Sequence, residues 1–176
     1  KDIRTGLIGF VQQDAFIFSG TIADNICLEQ KLSREAIIQA AKQAQLHDAI
    51  MVMPNGYDTV LAERGKNLST GQRQLLSLAR TLARQPKILI LDEATANIDS
   101  HTEALIQKSL MLLRGQVTLI AIAHRLSTVR DADTLYVLHQ GHIQQRGSHR
   151  QLMAEEGLYR HMYELQMKKD PMAEDA

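Results

Sequence analysis

The stretch that decides the fold begins with Leu68-Ser69-Thr70-Gly71-Gln72 and continues about twenty residues later with Ile88-Leu89-Ile90-Leu91-Asp92-Glu93. Ser69 carries the side-chain oxygen that a helix N-cap requires, and Gln72 stands three residues later, as in a capping box. The N-terminus of such a helix offers N–H groups and a partial positive charge to an anion. Gly71 has no side chain, which lets a phosphate approach the backbone closely. An ordinary capped helix is the alternative interpretation.

The residues after this turn have the spacing of an amphipathic helix. Its predicted buried face consists of Leu75, Leu78, Ala79 and Leu82.

The second part of the stretch predicts a buried strand that ends in two carboxylates. Ile88–Leu91 is a short apolar run, which is typical of a strand covered on both faces of a parallel sheet. Ligands of open α/β sheets lie beyond the carboxyl ends of the strands, where Asp92 and Glu93 stand. Asp92 suits Mg²⁺, which binds one or two protein carboxylates together with phosphate oxygens. Glu93 is placed to orient or deprotonate water for phosphoryl transfer. A solvated acidic turn is the alternative, and it is favoured when these residues are taken alone.

Two further apolar runs predict strands that end in polar side chains at the same edge of the sheet. Val117–Ala123 leads into His124, whose imidazole could sense a γ-phosphate. Leu7–Val11 leads into Gln12 and Gln13, whose amide groups could reach a water bound to the metal. A structural histidine and solvated glutamines remain the alternatives.

These motifs, in this order, resemble the nucleotide-binding domain of an ATP-binding cassette (ABC) exporter. The matching segments are Phe10–Asp14 with Phe18–Ile26, Glu63–Gly65, Leu68–Gln72, Asp92 with Glu93, Ala96–Asp99, and His124. In the family these are the Q-loop, a short exporter motif, the signature, the Walker B carboxylates, the D-loop and the switch histidine. Thr70 replaces the usual signature glycine. The D-loop wording and the segments Ile122–Thr128 and Tyr159–Gln166 are most similar to the MdlB-type half-transporter.

The resemblance implies an α/β fold: a P-loop NTPase-like ATPase core with a mainly parallel sheet and an inserted α-helical subdomain. The implied parts are residues 1–14 (core with the Q-loop), 15–67 (helical subdomain), 68–150 (core with signature, Walker B, D-loop and switch histidine) and 151–176 (C-terminal helix and tail). A hairpin is predicted from Thr134–Leu138 and His142–Gln145.

The resemblance also implies which residues contact each of the two nucleotides. Two nucleotide-binding domains, identical or different, enclose two ATP molecules. The catalytic residues for the chain's own ATP are Glu93, His124 and Gln13, with Asp92 and Gln13 as Mg²⁺ ligands. The residues serving the partner's ATP are Ser69, Thr70, Gly71 and Gln72, and Asp99 lies near the dimer interface.

The implied setting is a transporter of drug-like or lipid-like substrates. The family places a transmembrane domain on the same full-length chain, in the cell (inner) membrane, with this domain on the cytoplasmic side. Nucleic acid is not an expected partner. A soluble ABC ATPase of DNA maintenance or translation and a non-catalytic partner-binding fragment remain alternatives.

One family motif is absent from the sequence. No G-x-x-x-x-G-K-[ST] occurs, and the Gly65-Lys66 pair is followed by Asn67. We therefore expect the chain to be the C-terminal part of a longer polypeptide and to bind ATP weakly, with no activity, when isolated.

Composition narrows the class of protein. With 176 residues, 44% of them hydrophobic and 23% charged, the chain can form a full domain core. Its 20 basic and 20 acidic residues balance, so no nucleic-acid-binding field is expected. Cys27 stands alone, which excludes an intrachain disulfide and suits a reducing compartment. No apolar run approaches the roughly 20 residues of a membrane span.

Overall fold

The computed structural model describes residues 7–12, 15–28, 30–92, 99–122 and 129–169. The chain divides into two units, Lys1–Ile122 and Ala123–Ala176. In chain order, the first unit has β1 (Ile8–Val11), β2 (Gly20–Thr21), α1 (Ile22–Cys27), α2 (Arg34–Gln43), α3 (His47–Met51), β3 (Val60–Leu61), α4 (Thr70–Leu82), β4 (Ile88–Asp92), α5 (Ser100–Leu113) and β5 (Thr118–Ile122). The second has β6 (Leu135–His139), β7 (His142–Gly147), α6 (His149–Ala154) and α7 (Leu158–Lys169). Two turns of 3-10 helix, Gly56–Asp58 and Glu63–Gly65, flank β3.

The sheet of the first unit consists of three parallel strands in the order β1-β4-β5. This confirms the three strands and the parallel arrangement that the apolar runs predict. Gly9 of β1 faces α4 so closely that a Cβ atom there would overlap the Thr81 side chain. The helix therefore packs directly on the strand, and only glycine fits at the contact.

Only one face of this sheet is buried in the part of the chain that the structure describes. Leu89 and Leu91 of β4 are buried, but Phe10 of β1 and Ile120 of β5 are exposed on the opposite face, beside the half-buried Ile90. The prediction that Ile88–Leu91 is covered on both faces is therefore wrong for the described residues. An apolar run shows that a strand favours burial, but it does not show which element covers it.

Helix α4 begins where the sequence predicts. Ser69 is its N-cap, and the capping box with Gln72 is present. The predicted buried face is confirmed, but Leu76 and Ser77 are buried as well. The helix is buried on more than one side because it contacts β1, α1, α2 and α5.

The segment between β1 and α4 is helical only in part. Ser33 caps α2, and the short helix α3 follows at His47–Met51. The antiparallel pair of β2 and β3 was not predicted. Each of these strands has two residues, which is too short for a periodic pattern.

The second unit is built on the predicted antiparallel hairpin of β6 and β7. Gln140 and Gly141 connect the strands, both with positive φ, as a type I′ turn requires. The core of this unit consists of Leu135, Val137, Leu152 and Tyr159. The division between the two units falls within the predicted part 68–150, and the four-part organisation stays a prediction.

Candidate functional site

The N-terminus of α4 is a fully formed capping box. Ser69 Oγ accepts a hydrogen bond of 3.0 Å from the Gln72 N–H, and Gln72 Oε1 accepts one of 2.9 Å from the Ser69 N–H. Thr70 is exposed between them. The first-turn N–H groups of a helix have no acceptor within the helix, so this end offers donors and positive potential to an anion.

A cation stands beside this turn. Arg73 donates from Nη1 to the Leu68 carbonyl over 2.8 Å and from Nη2 to Thr70 Oγ1 over 2.9 Å. The guanidinium therefore fixes the hydroxyl of Thr70 and adds positive charge to the helix N-terminus. Sequence reasoning did not select Arg73, although an arginine in the first turn of a proposed anion site is a usable signal.

Gly71 is required by packing within the chain. A Cβ at Gly71 would lie 2.6 Å from Thr102 Cγ2 and 2.8 Å from Thr102 Cβ, and closer still to Thr102 Oγ1. Thr102 lies in the first turn of α5 and is buried. The sequence offered a different reason for the glycine, the close approach of a phosphate. The structure adds a second reason, because the first turn of α4 rests directly on the first turn of α5.

Asp99 is the N-cap of α5 and holds Thr102 with both carboxylate oxygens. The Thr102 N–H donates to Oδ1 over 2.9 Å, and the Thr102 hydroxyl donates to Oδ2 over 2.8 Å. These two hydrogen bonds, the backbone one first, lower the pKa of Asp99 below its ordinary value. The exposed carboxylate is therefore ionised at neutral pH.

Asp92 is the last residue of β4, at the carboxyl edge of the sheet. It pairs in register with Ile122, the last residue of β5, and is half-buried. Gln13, Glu93 and His124, all predicted to be catalytic, follow the ends of β1, β4 and β5 in the sequence and lie outside the described residues.

The carboxyl edge fits a magnesium ion that arrives with phosphate. Among the described residues no group of three or more histidine, cysteine, aspartate or glutamate side chains could hold a metal. Asp92 offers a single carboxylate, and Mg²⁺ ordinarily needs one or two, with water and phosphate oxygens completing its shell.

A second candidate surface lies on the loop before β2. Phe16 is 64% exposed and Phe18 is 44% exposed, and their rings meet edge to face with centroids 4.8 Å apart. Ile17, between them, is buried against Gly65, where a Cβ would lie 2.9 Å from Ile17 Cγ1. The predicted Glu63–Gly65 motif therefore supports the loop that presents the two phenylalanine rings, which we call the aromatic pair.

Arg80 of α4 clamps this loop. Its Nε donates to the Asn25 carbonyl over 2.8 Å, Nη1 to the Phe16 carbonyl over 2.7 Å and Nη2 to Asn25 Oδ1 over 2.9 Å. The guanidinium also lies 5.1 Å from the centre of the Phe18 ring. Burial, with a smaller contribution from Arg84, lowers the pKa of Arg80 to about 10.

Asn25 completes the clamp. It is fully buried, its side chain accepts from the Phe18 N–H over 2.9 Å, and its Nδ2 donates to the carbonyls of Phe18 and Thr21. The loop is therefore attached to α4 by hydrogen bonds of the buried Asn25 amide and the half-buried Arg80 guanidinium.

Comparison with known proteins identifies the family and the fold of the chain. The family model described as ABC transporter matches residues 1–96 of the chain. The chain belongs to the ABC transporter family. It is 54% identical over 159 residues to exp8, named as an ABC transporter ATP-binding protein, of Streptococcus pneumoniae serotype 4, covering 90% of this chain and 27% of that protein. It is 47% identical over 171 residues to a protein of Staphylococcus aureus NCTC 8325 named as a multidrug export ATP-binding/permease protein, covering 94% and 30%.

Part of a solved ABC exporter has the same fold. The structure of a bacterial Atm1-family ABC exporter with ATP bound superimposes with a TM-score of 0.84 at 42% identity, covering 92% of this chain and 29% of that one. The α/β ATPase fold of an ABC exporter is therefore confirmed. The chain spans 27–30% of the length of these relatives. None of the helices in the described ranges is long and apolar enough to cross a membrane.

Within this ABC domain the structure brings together two of the predicted regions. The turn at Gly71, predicted to be the signature, and Asp99, predicted to belong to the D-loop, meet through Thr102. Thr102 and Arg80 were both missed by sequence reasoning. A hydroxyl three residues after an aspartate N-cap is a usable signal for the hydrogen bonds of Thr102 to Asp99. The sequence around Arg80 contains no signal that indicates its hydrogen-bond partners.

Proposed function

We propose that this chain is the ATP-hydrolysing nucleotide-binding domain of an ABC exporter and couples ATP binding and hydrolysis to the export of a drug-like or lipid-like substrate. The observation that carries the proposal is the carboxyl edge of the sheet. Three parallel strands end there, Asp92 stands on it, and Gln13, Glu93 and His124 follow the strand ends in the sequence. This is the edge at which α/β proteins bind ligands.

Hydrolysis of the chain's own ATP is assigned to these residues. Asp92 and Gln13 would hold Mg²⁺, which would supply positive charge to the phosphate oxygens. Glu93 orients a water molecule and accepts its proton as the water oxygen bonds to the γ-phosphorus and the bond to the bridging oxygen of ADP breaks. His124 contacts the γ-phosphate and stabilises it in line with the water.

The signature turn serves the ATP of a second nucleotide-binding domain. The helix N-terminus gives N–H donors and positive potential, Ser69 and Gln72 are held in the capping box, and Arg73 adds a cation. Asp99 lies near the interface of the two domains. The partner is a second copy of this domain or a different domain of the same family.

The membrane partner is a transmembrane domain on the same full-length chain, in the cell (inner) membrane, with this domain on the cytoplasmic side. Support comes from the S. aureus relative, which is named as both ATP-binding protein and permease. The aromatic pair, with the exposed Glu63 and Arg64 beside it, is the surface that we assign to this contact. Its apolar rings and adjoining charges suit the end of an amphipathic helix.

The catalytic proposal is tested by Glu93→Gln in the full-length protein. The carboxamide keeps the shape of the side chain and loses the base, so we expect steady-state ATP hydrolysis to fall about a hundredfold or more while ATP binding is retained. Glu155→Gln, a matched change at an exposed carboxylate of the second unit, is the control and keeps full activity. Normal hydrolysis by Glu93→Gln removes Glu93 from this role. Absence of hydrolysis in the unmodified protein favours a non-catalytic domain.

The membrane contact is tested by replacing Phe16 and Phe18 together with alanine. We expect substrate export to be lost while ATP hydrolysis in detergent is retained, because the rings are exposed and lie outside the nucleotide site. Val52→Ala, at a side chain that is 85% exposed, is the control. Unchanged export by the double variant contradicts the assignment of this surface.

A further inference from the structure

We propose that Thr102 is a positioning residue that links the signature turn to Asp99. Contacts made by the signature turn then set the orientation of Asp99, and contacts made by Asp99 set that of the signature turn. This inference rests on the proposed function, because it gives the signature turn and Asp99 their roles at the nucleotide sites. It concerns a residue that no motif of the sequence contains.

The first part of the link is the contact between α4 and α5. The position of a Cβ on Gly71 is occupied by the Thr102 side chain, with Cγ2 at 2.6 Å and Cβ at 2.8 Å from it. Both residues are buried. Closely packed interiors have no slack at such a contact, so a movement of the first turn of α4 displaces Thr102.

The second part is the attachment of Thr102 to Asp99. The backbone N–H of Thr102 and its hydroxyl occupy separate carboxylate oxygens, at 2.9 and 2.8 Å. A carboxylate held at both oxygens cannot turn independently of the residue that holds it. Displacement of Thr102 therefore rotates or shifts the exposed carboxylate of Asp99.

The two parts meet in one side chain. Thr102 Oγ1 donates to Asp99, and the same atom lies against the backbone of Gly71. A phosphate that draws in or releases the first turn of α4 therefore changes the place of Asp99, and a partner domain that contacts Asp99 changes the signature turn. An N-cap contact alone would stabilise α5, but it would not make the position of Asp99 depend on the signature turn.

The experiment compares Thr102→Val and Thr102→Ser in the full-length protein. Valine keeps the volume and loses the hydroxyl, whereas serine keeps the hydroxyl and loses only a methyl group. Steady-state hydrolysis is measured over a range of Mg-ATP concentrations, and thermal stability is measured on the same samples. Ser33→Ala, which removes the N-cap hydroxyl of α2, is the control for the loss of a helix cap.

We expect Thr102→Val to lower kcat about fivefold, the factor that one hydrogen bond supplies, with KM for Mg-ATP changed less than about twofold. Thr102→Ser retains kcat, and Ser33→Ala loses stability without losing kcat. Unchanged kcat in Thr102→Val, or equal loss in the serine and valine variants, overturns the proposal.

Two further measurements keep the outcome decisive. If Thr102→Val does not accumulate as folded protein, Asp99→Asn takes its place. The proposal then expects a lower kcat in Asp99→Asn and an unchanged kcat in Thr102→Ser. Equal kcat values in Asp99→Asn and Thr102→Ser overturn the proposal. Glu93→Gln, assayed in parallel, separates the two hypotheses. Inactive Glu93→Gln with fully active Thr102→Val refutes the link alone, whereas active Glu93→Gln refutes the proposed function.

Discussion

Replacing Arg80 with methionine removes the clamp between α4 and the loop that carries the aromatic pair. Methionine has nearly the same length and keeps the packing of the aliphatic stem, but it donates no hydrogen bond. The variant therefore loses the three bonds to Asn25 and Phe16 and the contact of the guanidinium with the Phe18 ring.

The expected loss of stability follows from these contacts. Hydrogen bonds from a charged donor contribute about 1.5–3 kcal/mol each, so three give at least about 4.5 kcal/mol before any compensation. Two terms reduce this sum. The Phe16 carbonyl belongs to an exposed residue and can bind water, and methionine avoids the cost of burying a cation, which the lowered pKa of Arg80 reports. A net loss of about 2–3 kcal/mol remains.

Thermal unfolding of the chain, followed by circular dichroism, measures this loss. For a protein of this size about 2–3 kcal/mol corresponds to a fall in Tm of about 4–12 °C. Arg84→Met is the matched control, since Arg84 lies one turn further along the same chain segment and is exposed. We expect its Tm to change by about 1 °C or less. A fall in Arg80→Met no larger than that in Arg84→Met refutes the clamp.

Two more predictions concern the contact at Gly71 and the second unit. Gly71→Ala should destabilise the chain by about 1–3 kcal/mol through overpacking. In urea unfolding, adding Thr102→Ala to this variant should recover part of the lost stability. Strictly additive losses of stability in the double variant would contradict the close contact. Burial, and secondarily Arg130, lower the pKa of His149, which bonds Tyr159 over 2.7 Å. The unfolded state then binds more protons, so stability should fall as pH drops through the ordinary histidine pKa of about 6.5. His149→Gln should weaken this dependence in unfolding measured from pH 8 to about 5, and an unchanged pH profile would count against the assignment.

Local signals in the sequence predicted α4 and β4, the elements to which we assign the signature and Walker B motifs. Ser69 and Gln72 make their capping box between neighbours in the chain, so the start of α4 needs no tertiary information. The strand that ends at Asp92 was likewise indicated by its own apolar run, Ile88–Leu91.

Contacts between distant segments were not predictable from these signals. Arg80 bonds residues 55 and 64 positions away, and nothing in its own helix identifies them. The actual neighbour of Gly71 is Thr102, on another helix, whereas the sequence supplied only the general reason that a glycine admits close approach. The burial of Ile90 depends on what covers its face of the sheet, and a strand pattern does not contain that information.

Ser69→Arg tests the proposal that the N-terminus of α4 faces a nucleotide. Arginine at this N-cap removes the capping oxygen and places a long side chain where the partner's ATP is expected. Ser33→Arg makes the same change at the N-cap of α2 and controls for the loss of a cap. In the full-length protein we predict that Ser69→Arg lowers steady-state ATP hydrolysis about a hundredfold, while Ser33→Arg stays within about twofold of the unmodified protein. Hydrolysis by Ser69→Arg at the unmodified rate, or an equal loss in both variants, would show that the N-terminus of α4 does not face a nucleotide.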